Sequence, residues 1–142
     1  MQGYPYLVAI ISAWVVAQGA KYFIGAIQTR TFRKIRQLYS SGDMPSAHSA
    51  SVVALATVIG CNEGADTAVF AVSVLFASIV MYDAIMVRRS SGEQGKALQE
   101  LIKELKSTIV NPRAAKGHTP VEVAVGAVLG FVIGLVVFFA TK

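Results

Sequence analysis

Two histidines and a glutamate are the residues of this sequence best suited to nucleophilic or acid–base chemistry. His118 and Glu122 are four positions apart, so they share one face if the chain is helical there. A carboxylate so placed can hydrogen-bond an imidazole, fix its tautomer and stabilise its charged form. His48 adds a second group that titrates near neutral pH. One imidazole could therefore act as a nucleophile and the other as a general acid.

Basic and polar residues that could bind phosphoryl oxygens accompany the histidines. Clustered Lys and Arg side chains stabilise the charge of a phosphoryl group, and the helix start expected at 45–48 offers backbone N–H groups to an anion. The candidate substrate-binding residues are Lys21, Ser46, Asp83, Arg88 and Arg89. Together they suggest phosphoryl transfer to water through a phosphohistidine, without a metal or other cofactor. A plain N-cap is the alternative role for Ser46, and topology markers are the alternative for the two arginines.

Long apolar blocks surround these residues and predict membrane-spanning helices. Hydrophobic residues make up 54% of the chain and charged residues 15%, which is unusual for a soluble domain. A helix needs about 20 mostly apolar residues to cross the hydrocarbon layer. We predict an all-α polytopic membrane bundle of about four transmembrane helices, in a single integral membrane domain covering 1–142. The expected spans are 5–27, 45–61, 65–87 and 119–140.

One further helix is expected between the last two spans. Over 93–109, apolar residues recur at helical spacing on one face, which predicts an amphipathic helix lying along the membrane interface. Thr119 and Pro120 are a typical N-cap and first residue for the last span. Within that span Gly126, Gly130 and Gly134 form a stripe that allows another helix to pack closely.

The charge distribution predicts the orientation of the bundle. Apart from Lys21 and Lys142, every Lys and Arg lies in 30–36 or 88–116. Under the positive-inside rule both of these connections face the cytoplasm or its topological equivalent, and both termini face the opposite side. The net charge of +5 is thus explained by topology and anionic headgroups, and no nucleic-acid partner is expected. No basic region precedes the first span, so it is not expected to be a cleaved signal peptide.

This topology brings ionisable residues of four separate helices to one face of the bilayer. They are Lys21, His48, Asp83, His118 and Glu122. Ionisable groups are costly within membrane helices and usually functional, so their convergence predicts a site on the cytoplasmic-equivalent face.

Three sequence blocks occur in order along nearly the whole chain. They are Gly42–Ala50 with Pro45-Ser46-Ala47-His48, Tyr82–Gln94 with Arg88-Arg89, and Gly117–Gly126 with His118-Thr119-Pro120. As a set they resemble the divergent PAP2 branch of the type 2 phosphatidic acid phosphatase and vanadium haloperoxidase superfamily. The resemblance implies that His118 is the nucleophile, Glu122 its orienting carboxylate and His48 the proton donor to the leaving group. It also implies that Lys21 and the two arginines bind phosphate.

The chain departs from the wider superfamily at several of these positions. Ala47 stands where the superfamily has Gly, and Glu122 where it has Asp. The Arg-Pro and Ser-Arg pairs of the phosphate clamp are replaced. Four expected spans contrast with the six that are usual in membrane relatives. A minimal core, or a site completed by a second subunit of a homo-oligomer, would account for that difference.

The expected function is a metal-independent membrane lipid phosphatase acting on a lipid phosphomonoester. A site at the cytoplasmic headgroup level favours phosphatidylglycerophosphate, with polyprenyl pyrophosphate and phosphatidic acid as alternatives. Two other classes stay open: a non-catalytic phospholipid-binding membrane protein and a vanadate-dependent haloperoxidase. A zinc site formed by His48, His118 and Glu122 is disfavoured because the sequence has no compact metal-ligand motif.

Overall fold

The computed structural model describes residues 4–29 and 44–142, and within them it contains helices and no strands. The predicted all-α bundle is confirmed. Its elements are α1 (Tyr4–Thr29), α2 (Ala47–Glu63), α3 (Ala68–Tyr82), a π-helical segment (Asp83–Val87), α4 (Arg88–Glu104) and α5 (Pro120–Thr141). The first basic connection and residues 42–43 of the first motif lie outside the described residues.

In the described part of the chain, long apolar helices surround the shorter helix α2. Three stretches of the described chain are long and apolar enough to cross a membrane: Tyr4–Ile27, Ala68–Glu104 and Pro120–Thr141. Helix α2 has 17 residues and contacts α1, α3 and α5. The four expected spans are therefore three such helices and a fourth, shorter one that is surrounded mainly by protein.

Small residues allow α2 to pack closely between α1 and α5. On α1, Ala9, Ala13 and Ala17 are fully buried at four-residue intervals. On α5, a Cβ atom added to Gly126 would lie 2.5 Å from the Ser46 carbonyl oxygen, and one added to Gly130 would lie 2.2 Å from that of Ala50. The glycine stripe therefore packs directly on α2, with the two helices parallel and their starts side by side.

Helices α3 and α4 form one continuous helical run from Ala68 to Glu104, joined by the π-helical segment. The sequence had suggested a third span ending at 87 and a separate surface helix over 93–109. No proline interrupts 88–92, so the helix continues through it. It ends at Glu104, earlier than expected, because Lys106 adopts a left-handed φ of 47° and Ser107 N–H donates to the Ile102 carbonyl at 3.1 Å.

The other helix starts follow local capping chemistry. Thr67 caps α3, which begins at Ala68 and not at 65 as the apolar pattern had suggested. Thr119 caps α5, and Pro120 is its first residue, as the sequence predicted. These caps fix where α5 begins and therefore where His118, directly before it, is held.

Candidate active site

The starts of α2 and α5 are bonded to each other. Ser46 N–H donates to the Glu122 carbonyl oxygen at 3.3 Å. The Ser46 side chain is fully buried, and its hydroxyl oxygen accepts from the Ser49 hydroxyl at 2.9 Å and from the Ser49 N–H at 3.4 Å. These are the contacts of an N-cap residue. Ser46 thus holds the start of α2, and His48 with it, against the start of α5, while its role as a phosphate ligand stays a prediction.

His118 is held between α5 and the π-helical segment. Its backbone N–H donates to the Ala84 carbonyl at 3.1 Å, and the residue is 6% exposed. The preceding Gly117 makes this approach feasible, because a Cβ there would lie 2.4 Å from the Cα of Arg89. The His118 Nδ1 atom is buried and has no hydrogen-bond partner among the described residues. A buried, unpaired ring nitrogen is costly in a purely structural histidine.

A cavity of about 240 Å³ opens beside His118, between α4 and the segment that leads into α5. Its charged lining residues are Arg89, Glu93, Lys96 and Lys116. Arg89 was predicted as a site residue, whereas Lys116 was not among the predicted candidates. Lys96 was missed, although its spacing from Arg89 and Glu93 puts the three on one helical face. The cavity therefore presents three cations and one acid next to a buried histidine.

The remaining predicted residues form a second group that adjoins His118. His48 is exposed on the first turn of α2, and Lys21 of α1 is 7% exposed. Charges on Arg88, Lys21 and Asp83 act on His48. His48 and Lys21 are not among the described residues that line the cavity. The structure thus brings the predicted residues to one end of the bundle, divided between the cavity and this neighbouring group.

Both predicted phosphate-binding arginines carry a carboxylate partner from their own helical run. Arg88 Nε lies 2.6 Å from Asp83 Oδ2, across the π-helical segment, and Arg89 Nε lies 3.1 Å from Glu93 Oε1. These side chains are largely exposed, and exposed ion pairs contribute about 0–1 kcal/mol. A phosphate dianion could therefore displace either carboxylate at small cost. Among the described residues, no group of three or more His, Cys, Asp and Glu side chains is arranged to hold a metal ion.

The Glu122 carboxylate is bonded to the helix cap and not to His118. Its Oε2 accepts from the Thr119 N–H at 2.8 Å, while Glu122 N–H donates to the Thr119 hydroxyl at 3.3 Å. This reciprocal capping box is favoured for a glutamate three residues after a threonine N-cap. In this structure Glu122 acts on His118 through its charge, and the orienting role that the sequence suggested for it stays a prediction.

The electrostatic surroundings of His118 favour its neutral form. Burial lowers the pKa of the imidazole most strongly, Glu122 opposes this by raising the pKa, and the charges of Lys21, His48 and Arg88 lower it again. The net effect is a pKa below the ordinary value for histidine. A neutral ring near physiological pH is the form that a nucleophile requires.

Glu122→Gln is expected to lower the pKa of His118 further. Glutamine keeps an oxygen that can accept from the Thr119 N–H, but it removes the charge that raises the His118 pKa. The measurement is an NMR titration of the imidazole C–H signals in detergent, which is simple because the chain has two histidines. Glu63→Gln is the control, because Glu63 binds Tyr6 at the opposite end of the bundle. An unchanged or raised pKa in Glu122→Gln would contradict the electrostatic coupling.

Comparison with known proteins identifies the family of the chain. Residues 3–133 match the family described as the Divergent PAP2 family. The chain is also 34% identical over 148 aligned residues to the uncharacterized membrane protein YuiD of Bacillus subtilis (strain 168), covering 94% of this chain and 93% of that protein. No solved structure matches the chain. The three motif blocks fall within the matched residues, and this membrane protein belongs to the Divergent PAP2 family.

Proposed function

We propose that this protein is a metal-independent lipid phosphatase that uses His118 as its nucleophile. The observation that carries the proposal is the cavity of about 240 Å³ in which His118 adjoins Arg89, Lys96 and Lys116. Hydrolysis of a phosphate ester through a phosphohistidine needs an imidazole that is neutral before attack. It also needs cations that stabilise the charge of the transition state. The depressed pKa of His118 supplies the first, and the three basic side chains supply the second.

In the proposed reaction, His118 Nε2 attacks the phosphorus atom, because Nδ1 is enclosed by protein. The bond between phosphorus and the lipid oxygen breaks, and the leaving oxygen takes a proton from His48. Water then attacks the phosphohistidine and releases inorganic phosphate, with His48 accepting the proton of that water. His118 is regenerated, so the cycle consumes one water and one lipid phosphomonoester.

Phosphatidylglycerophosphate is the favoured substrate. The active-site end carries the basic stretch Arg88–Lys116, which supports a location on the cytoplasmic face with both termini opposite. A headgroup presented from that leaflet would place its terminal phosphomonoester at the level of the cations. Phosphatidic acid offers a phosphomonoester closer to the bilayer, and polyprenyl pyrophosphate recycling calls for an outward-facing site. Both therefore rank after phosphatidylglycerophosphate.

A non-catalytic phospholipid-binding role is the second candidate. It is favoured by the bonds that Arg88, Arg89 and Glu122 already make, since each is engaged with a neighbouring group of its own segment. A site in which these partners persist would bind a phosphate headgroup through Lys96 and Lys116 without aligning it for attack. The phosphatase and the binding protein therefore differ in whether bound lipid phosphate is hydrolysed.

The deciding experiment measures phosphate release by purified protein in detergent with EDTA. The substrates are phosphatidylglycerophosphate, phosphatidic acid and polyprenyl pyrophosphate, each also tested with the His48→Ala variant. Release from one lipid, reduced in the variant, would support the phosphatase and identify its substrate. Binding of these lipids by folded protein without release would overturn the phosphatase and favour the binding protein.

A further inference from the structure

An apolar groove of about 410 Å³ lies where α2, α3 and α5 meet, within the membrane-spanning part of the bundle. Buried small residues form its floor, with Ala56 8% exposed and Ala77 4% exposed. Larger side chains stand at its edges, namely Phe70, Met81 and Phe131. The groove is therefore an apolar recess over packed helices, and no described residue lines both it and the cavity at His118.

The hydroxyl groups in this groove are already bonded to their own helices. Thr57 Oγ1 donates to the Val53 carbonyl at 2.8 Å, and Ser78 Oγ donates to the Val74 carbonyl at 2.8 Å. Such bonds to the preceding turn satisfy the hydroxyl protons. The remaining side chains of the lining are apolar apart from the thiol of Cys61. The groove is thus suited to an apolar ligand without hydrogen-bonding groups.

The groove begins near the active-site end and runs away from it. Helices α2 and α3 are antiparallel, and Phe70 lies across Gly60, where an added Cβ would be 2.7 Å from Phe70 Cε2. From there to Met81, close to Asp83, the α3 wall extends about 16 Å at 1.5 Å per residue. One end of the groove therefore lies at the depth of the ionisable residues, and Phe70 stands at the other end.

We propose that this groove holds one acyl chain of the lipid phosphate whose headgroup binds at His118. The inference rests on the proposed function and specifies its substrate as a lipid with a long chain. A helix of a second copy, about 10–12 Å wide with its side chains, would occupy roughly 1,300 Å³ or more along the wall just described. The groove offers about 410 Å³. An acyl chain matches the volume, the lining and the direction of the groove.

A large side chain placed halfway along the groove tests the acyl-chain site, because it should block long acyl chains and leave short ones unaffected. Val74 lines the groove and is 42% exposed, whereas Val72 on the same helix is 66% exposed and lies outside it. Val74→Phe is expected to lower kcat/KM for an oleoyl substrate by about tenfold or more, as expected for a steric change in an apolar pocket. It should leave the hexanoyl analogue unchanged, and Val72→Phe should affect neither. Equal losses for both chain lengths would overturn the proposal.

Cys61 provides a second test that does not depend on turnover. It is the single cysteine of the chain, it lines the groove and it is exposed. Oleoyl phosphatidic acid is expected to slow maleimide alkylation of Cys61 several-fold in detergent, whereas the hexanoyl form and oleoyl diacylglycerol should not. Protection of this kind in a protein that releases no phosphate would retain the acyl-chain site and reject the phosphatase.

Three results at Cys61 would overturn the acyl-chain site itself. Equal protection by oleoyl diacylglycerol would mean that the groove holds any membrane lipid, independently of a phosphate headgroup. Efficient disulfide cross-linking between the Cys61 residues of two copies would mean that a second copy covers the groove. Unchanged alkylation with every lipid would show that no acyl chain reaches Cys61.

Discussion

His118→Ala is expected to lower phosphate release by at least about a thousandfold, as is typical when a nucleophile is removed. His118 combines a buried position, a lowered pKa and a place in the wall of the cationic cavity. Alanine removes the attacking nitrogen but keeps the backbone N–H that donates to the Ala84 carbonyl. The loop before α5 should therefore stay in place. The measurement is the initial rate of release from the preferred lipid.

Trapping the intermediate provides the specific readout for this prediction. Substrate labelled in its phosphate should leave acid-labile label on the natural protein after rapid quenching and none on His118→Ala. His48→Ala should lower the rate by about 10²–10⁴-fold, as expected for loss of a general acid, while His118 can still be labelled. Thermal unfolding and gel filtration show whether each variant is folded. A folded His118→Ala protein that keeps activity within tenfold of the natural rate would refute the assignment.

The helices and the end of the bundle that carries the site were predictable from the sequence. Long apolar blocks and local caps define α1 and α5 to within a few residues, since both signals act over one or two turns. Placing ionisable residues by the topology also brought Lys21, His48 and His118 to the same end, where their charges act on one another. These features depend on composition and spacing alone.

Features that depend on contacts between segments were not predictable. The spacing of Thr119 and Glu122 favours a capping box, but the spacing of His118 and Glu122 favours a histidine contact as well, so the sequence alone does not decide between the two partners. The contribution of Lys96 to the cavity depends on how the segment before α5 packs on α4. That packing requires Gly92, where an added Cβ would lie 1.9 Å from the Ala115 carbonyl oxygen. The continuity of α3 with α4 likewise depends on the π-helical segment.

The alanine stripe of α1 was also missed, although it has the same spacing as the glycines of α5. Alanine is common in apolar helices, so Ala9, Ala13 and Ala17 do not stand out in the sequence. In the structure they and the glycine stripe enclose α2 from two sides. The close contacts that these small residues allow thus set the position of α2 between α1 and α5, and with it the position of His48 relative to His118.

Gly130→Val tests whether this close contact positions the site. A Cβ at Gly130 would lie 2.2 Å from the Ala50 carbonyl oxygen, so α2 and α5 must separate by about 1 Å or more to reach a normal contact distance. Overpacking of this kind costs about 1–3 kcal/mol of stability. A shift of about 1 Å between catalytic groups can lower activity about a hundredfold, so we expect both a lower Tm and a large loss of kcat.

The control for Gly130→Val is Ala124→Val, which places the same side chain at an exposed position of α5. It should leave the Tm and kcat nearly unchanged. Activity is measured well below the unfolding temperature of each variant, so that loss of folded protein does not contribute. A folded Gly130→Val protein with natural kcat would show that the α2–α5 contact stabilises the bundle without positioning the histidines. Loss of kcat in folded protein would instead mean that the glycine stripe sets the distance between His48 and His118. Gly130 is about three helical turns away from the cavity and does not line it.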